Sequence, residues 1–213
     1  MDIELPITIK RQPDYTTCGP TSLHAVYSYY KDTIPLIEVI DEVHKHELGG
    51  TMSIHLAVHA LRRGYEVDSW IFSVKHFDPT WFKQETDYLA KIEARLQAKG
   101  LIDDVRYGAA FNALKEFFGL GGRVHWRDLT PKLIGSIIKR GTPILTGTNG
   151  TFLYQCARET DAGPDDVCGD PFGHFVVLCG YHSKEGTVSI ADPLMDNPLH
   201  GSKYYRASVY RLI

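Results

Sequence analysis

The sequence predicts an α+β fold in which helices come first and an antiparallel sheet follows. Up to Arg140, apolar residues recur at helical spacing between polar or proline starts and glycine stops; beyond Gly141 they fall into short continuous or alternating runs. At 213 residues, 43% hydrophobic and 23% charged, the chain holds enough apolar material for one sizeable core, and a single domain over 1–213 is expected. No internal repeat or low-complexity tract interrupts it.

The first helix is expected from Cys18-Gly19-Pro20, where proline suits a first-turn position, and carries Leu23, Val26, Tyr27 and Tyr30. Pro35 opens a second through about His46, with Ile37, Ile40, Val43 and Leu48 as its stripe and Gly49-Gly50 as its stop. Ser53 should cap a third that ends at Gly64, and Tyr65 to Val74 alternates as a strand. Phe82 to Lys99 reads as the longest helix, 106–118 as another, and Thr130-Pro131 begins a last one that Gly141 halts. Pro143 to Gly147, Phe175 to Tyr181, Thr187 to Asp192 and Tyr204 to Leu212 read as strands. The one long connection without a clear period, 148–173, leads straight to His174 and is expected to border a substrate cleft.

Chemistry concentrates in Gln12-Pro-Asp-Tyr-Thr-Thr-Cys18-Gly-Pro-Thr-Ser. A thiol at a helix N-terminus feels the positive end of the macrodipole, which favours the nucleophilic thiolate. Gln12 offers an amide donor from the preceding loop, and the Cys18 N–H is an orphan donor of the new helix; together they suit a developing oxyanion. The alternative is a small buried hydrophobe, the usual fate of a free cysteine.

A nucleophilic thiol needs a base, and the base a group that orients it. Of ten histidines, His174 stands directly before an apolar strand, a turn at His182-Ser-Lys-Glu-Gly186 and a second strand ending at Asp192-Pro193. Folded back about Ser183, the hairpin sets His174 opposite Asp192, close enough for a carboxylate to hold an imidazole N–H. Pro193 then ends the ladder.

The order Gln12, Cys18, His174, Asp192, within QPDYTTCGPTS and GHFVVLCGY…TVSIADP and with Gly50-Thr-Met-Ser53 before a helix ending in Arg63-Gly64-Tyr65, resembles the papain-like cysteine peptidases, and among them the C39 family of bacteriocin-processing double-glycine peptidases. The resemblance runs from about residue 7 to the end. It implies a papain-like fold, with a helical half packed on a C-terminal antiparallel sheet and the active site in the cleft between. It also implies hydrolysis of a peptide bond, with Cys18 as nucleophile, His174 as base and acid, Asp192 as orienter and Gln12 as oxyanion donor. Two departures stand out. Secretion peptidases of that family sit on a membrane-spanning transporter, for which this chain has no apolar run of sufficient length, and Thr17 stands where many relatives have an aspartate. Substrate choice therefore does not transfer. The same residues would serve an acyl or peptidyl transferase, or survive in a silent peptide-binding module.

Other patterns point elsewhere than to cofactors. His55 and His59 are four apart, but Leu56 stands where a zincin places its glutamate; no cysteine pair has zinc-knuckle spacing. The glycine-rich steps lack the Lys-Ser/Thr of a phosphate loop. No cofactor or metal is expected. A net charge of −3 argues against nucleic acid or anionic membranes, so partners should be peptides or small molecules, and the resemblance implies a peptide or protein substrate. An acidic start without an apolar segment is unlike a signal peptide, so cytoplasm is the expected compartment. Cys156 and Cys168 flank a polar segment and could clip it if oxidised, while Cys179 reads as core.

Overall fold

The computed structural model describes residues 2–45, 50–70, 73–199 and 201–212. In chain order the elements are β1 (Asp2–Glu4), α1 (Cys18–Tyr29), α2 (Leu36–Glu42), α3 (Ser53–Arg62), β2 (Asp68–Trp70), α4 (Tyr88–Ala98), α5 (Val105–Gly119) and β3 (Arg123–His125). There follow α6 (Pro131–Lys139), β4 (Ile144–Asn149), α7 (Gly150–Tyr154), β5 (Glu159–Thr160), β6 (Gly163–Pro164), β7 (Gly173–His182), β8 (Thr187–Ala191) and β9 (Tyr204–Ser208). Helices and an antiparallel sheet therefore mix as the sequence predicts. They form two compact units, Met1–Glu42 with Leu129–Ile213, and Val43–Asp128.

The first unit is built on β7. β8 and β9 follow it on one side; on the other, β4 pairs with its first half and β1 with its last residues, all antiparallel. Alternate residues of β7 feed two cores, as the two-residue period of a strand requires. Val177 and Cys179, with Ala191, pack with Ile7, Ile9 and Ala25 of α1; Val176 and Leu178, with Val188 and Ile190, pack with Ile134 and Ile138 of α6 and Leu153 and Tyr154 of α7. Ser22 ties α1 to the start of β7 by donating to the Phe175 carbonyl at 3.1 Å.

The hairpin register differs from the predicted one by two residues. Val177 pairs with Ala191 and Leu178 with Ile190, but Gly180 pairs with Ser189 and His182 with Thr187, so Cys179 is the extra residue of a bulge. The bulge decides which way the two polar ends face. Without it, the Gly180–Ser189 step run back along the strands would set Asp192 opposite Val177, with His174 on the other face. With it, the Val177–Ala191 step carried on by one sets Asp192 opposite Val176, on the face His174 shares. The two meet diagonally rather than directly, which remains within reach of their side chains.

The second unit packs α3, α4 and α5 around Phe77, Phe111 and Phe117, with β2 and β3 as a short parallel pair. Here the predicted boundaries shift. The expected helix Phe82–Lys99 divides because two aspartates each start a helix: Asp78 caps a 3-10 turn, Pro79–Lys83, and Asp87 caps α4 by accepting from Ala90 N–H at 3.0 Å. α5, at 15 residues, is longer than α4 at 11. Ser53 is the first residue of α3 rather than its cap, which is Met52. The strand expected over Tyr65 to Val74 is ordered as β2 only at Asp68–Trp70, and Ile71 and Phe72 lie outside the described residues, as do His46, Leu48 and Gly49 of the expected second helix.

The stretch 148–173 is not a bare loop. Asn149 caps α7 by accepting from Phe152 N–H at 2.9 Å, and α7 is fastened to the approach to β7 by Gly150 N–H to the Phe172 carbonyl, 2.9 Å. Any Cβ at Gly150 would overlap the Phe172 ring. Gly150→Ala should therefore cost about 1–3 kcal/mol, the range for overpacking, and Phe172→Leu should recover most of it; urea unfolding of the single and double variants measures both, and a neutral Gly150→Ala would disprove the packing argument.

Candidate active site

α1 begins at Cys18, so the sulfur occupies the first helical position. Thr17 at the N-cap makes no capping bond; its hydroxyl turns back to the Asp14 carbonyl at 3.0 Å, and Pro20 brings no N–H of its own. The first-turn amides are thus not consumed by a side-chain cap. Cys18 is buried, with 7% of its surface exposed.

His174 sits at the start of β7, paired across to Thr148 of β4, and is 4% exposed. Its Nε2 lies 2.9 Å from Asp192 Oδ1, and Cys18 is near enough to influence the ring's protonation. With Nε2 given to the carboxylate, Nδ1 is the nitrogen left for sulfur. Asp192, just past the end of β8, has no exposed surface. Its main-chain N–H donates to the Lys203 carbonyl at 2.8 Å, which fixes the residue against the strand leading into β9.

Two residues that the sequence did not single out complete the carboxylate's surroundings. Tyr154 from α7 and Tyr205 from β9 donate their hydroxyls to Asp192 Oδ2 at 2.7 and 2.6 Å. Leu194 N–H donates to Oδ1 at 2.8 Å. A carboxylate surrounded in this way accepts from every side, and the His174 Nε2 carries a proton toward it.

Gln12 is held beside this group by its main chain, which donates to the Pro193 carbonyl at 3.0 Å. Its side chain is buried; Nε2 donates to the Asp14 carbonyl at 2.9 Å, and Oε1 has no hydrogen-bond partner among the described residues. The structure thus joins His174 and Asp192 by a side-chain bond, sets Cys18 near the His174 ring and attaches Gln12 through the backbone. All four cysteines are free thiols, so Cys156 and Cys168 are not bridged.

Burial is the largest influence on the His174 ring and works against its charged form. The hydrogen bond to Asp192 and the nearby Cys18 sulfur, with the charge of Asp192, outweigh it and hold the imidazole up at about 9. Raised above its ordinary 6.5, the ring contributes stability that is complete below about pH 6.5 and is lost as pH rises through about 9. Cys179, in the core, differs sharply: burial, with Glu4 nearby, pushes its thiol up to about 12.

The model of the Peptidase_C39 like family matches residues 4–211. The chain belongs to that family. It is also similar to a solved structure from Bacillus anthracis, provisionally described as a C39-like peptidase, at 14% identity and a TM-score of 0.44, over 100% of this chain and 90% of the other. No curated protein matches the chain. Among the described residues no helix is long and apolar enough to cross a membrane.

The buried carboxylate yields a direct test. Asp192→Asn would turn an amide N–H toward groups that are themselves donors, and removing one partner of a buried ion pair costs about 3–5 kcal/mol. Chemical unfolding at neutral pH should show a loss of that size; a loss below about 1 kcal/mol would mean that the donors relax to other partners.

Proposed function

We propose that this C39-like protein is a cysteine peptidase of papain-like arrangement, in which α1 supplies the nucleophile and the β7–β8 hairpin supplies the base and its carboxylate. The observation that carries the reading is a cysteine at a helix start whose sulfur acts on a buried histidine that is itself hydrogen-bonded to a buried aspartate, in a member of a peptidase family. The match of one family model across both compact units supports reading the chain as a single peptidase domain. The stretch 148–173, which delivers Tyr154 to Asp192, borders the place where substrate reacts.

In this mechanism the Cys18 proton passes to His174, giving a thiolate beside an imidazolium that Asp192 stabilises. The sulfur attacks the carbonyl carbon of the scissile bond, and the oxyanion is met by the Cys18 N–H and by the second Nε2 hydrogen of Gln12. His174 then gives its proton to the departing amine as the C–N bond breaks, leaving a thioester. Water, deprotonated by His174, adds to the thioester; the S–C bond breaks, and the acid product leaves with Cys18 restored.

Cys18→Ala should abolish turnover with the thermal midpoint little changed. The wild-type rate should fall as pH rises through about 9, where His174 loses the proton that the leaving amine needs. A peptide library read by mass spectrometry of the trapped Cys18 adduct finds the substrate, and activity retained in Cys18→Ala ends the proposal. Repeating the assay with an added amine acceptor separates hydrolysis from acyl transfer by product mass.

A further inference from the structure

We propose that Tyr154 and Tyr205 are positioning residues of the catalytic group: the two hydroxyls hold Asp192 by Oδ2 so that Oδ1 is presented to His174 Nε2, and by sharing the carboxylate's charge they set how strongly the imidazolium is stabilised. The inference rests on the peptidase reading above and adds to it two side chains from separate elements.

The geometry makes the case. Among the described residues Asp192 receives four donors, divided evenly: His174 Nε2 and Leu194 N–H on Oδ1, and Tyr154 and Tyr205 hydroxyls on Oδ2. A carboxylate held at one oxygen only could turn about its Cα–Cβ and Cβ–Cγ bonds. Two phenols closing on the other oxygen from opposite elements remove that freedom. Neither phenol is placed by accident. Tyr154, 1% exposed, ends a helix that is pinned to Phe172 only two residues before His174, and its ring lies 5.8 Å from the His174 ring. Tyr205 pairs with Ile190 in the β8–β9 ladder, which turns its neighbour Tyr204 the other way, where that hydroxyl accepts from Ile9 N–H at 3.1 Å. Three elements thus meet on one buried carboxylate, with the histidine as its remaining side-chain partner.

The electrostatic consequence has a definite sign. Each phenolic O–H withdraws negative charge from Oδ2, so removing one leaves Asp192 a stronger base and a stronger partner for the imidazolium. A stronger partner raises the pH at which His174 loses its proton. A hydroxyl that serves only to fill space would leave that pH where it is.

The test uses the full-length protein with Tyr154→Phe and Tyr205→Phe made separately. Two readouts are taken across pH: the His174 Cε1–H signal by NMR, and the rate of Cys18 alkylation by iodoacetamide located by mass spectrometry. The expected result is a His174 titration moved upward by about half a pH unit in each variant, the same displacement in the alkaline inflection of the alkylation profile, and, with a peptide substrate, kcat lowered about tenfold with KM within about twofold. Placing 3-fluorotyrosine at position 205 keeps the fold and the hydroxyl but makes it a stronger donor, and should move the titration the other way. Folded variants with a lower thermal midpoint and an unmoved or lowered His174 titration would overturn the proposal, as would an unmoved titration in the fluorotyrosine protein. Wild-type Cys18 alkylated no faster near neutral pH than Cys156, Cys168 and Cys179 would instead defeat the peptidase reading on which the proposal stands.

Discussion

The structure of the first unit turns on the cost of burying one charge. A carboxylate withdrawn fully from water is tolerable only when its lone pairs are met. Asp192 meets that condition with donors drawn from α7, β7, β9 and its own following turn. Each of those elements is located by the requirement as much as by its apolar contacts. The position of α7 against Phe172, the offset of Tyr205 from Tyr204 and the N–H of Asp192 on Lys203 all serve one oxygen pair. Because the charge cannot leave without orphaning its donors, the histidine beside it stays oriented, and the thiol beyond the histidine has a fixed partner.

The sheet contributes the second constraint, which is parity. A strand presents its side chains alternately, so a single residue decides whether an aspartate near the end of one strand faces the histidine at the start of the next. Cys179 is that residue. It lies in the α1-facing core with Val177 and Ala191 and is itself inert, its thiol held well above the ordinary range by burial. Its contribution is to be one more residue on β7 than β8 has to match.

Much of this was legible in the chain. The Cys-Gly-Pro start of α1 and the apolar run after His174 identify a thiol at a helix N-terminus and a histidine at a strand start, because proline placement and periodicity are local effects. The hairpin joining His174 to Asp192 was legible too, but not its register, since the bulge hides in the apolar run Val176-Val-Leu-Cys-Gly180. The one available signal was Gly180 itself: a glycine inside a strand often marks a bulge or a close approach, and a Cβ there would meet Glu4 and Ser189. Tyr154 and Tyr205 were not legible. The first sits in a helix of five residues whose only herald is Asn149-Gly150, and the second has an identical neighbour, so alternation alone could not say which tyrosine turns inward.

Asp192 also has a bearing on charge conservation. Its acceptor positions are occupied by donors from four sides. Moving a proton from sulfur to the imidazole leaves the net charge of the buried group unchanged. In the proposed mechanism, forming the thiolate–imidazolium pair is then an internal rearrangement of dipoles, not an ionisation against solvent, so dissolved salt should have little purchase on it.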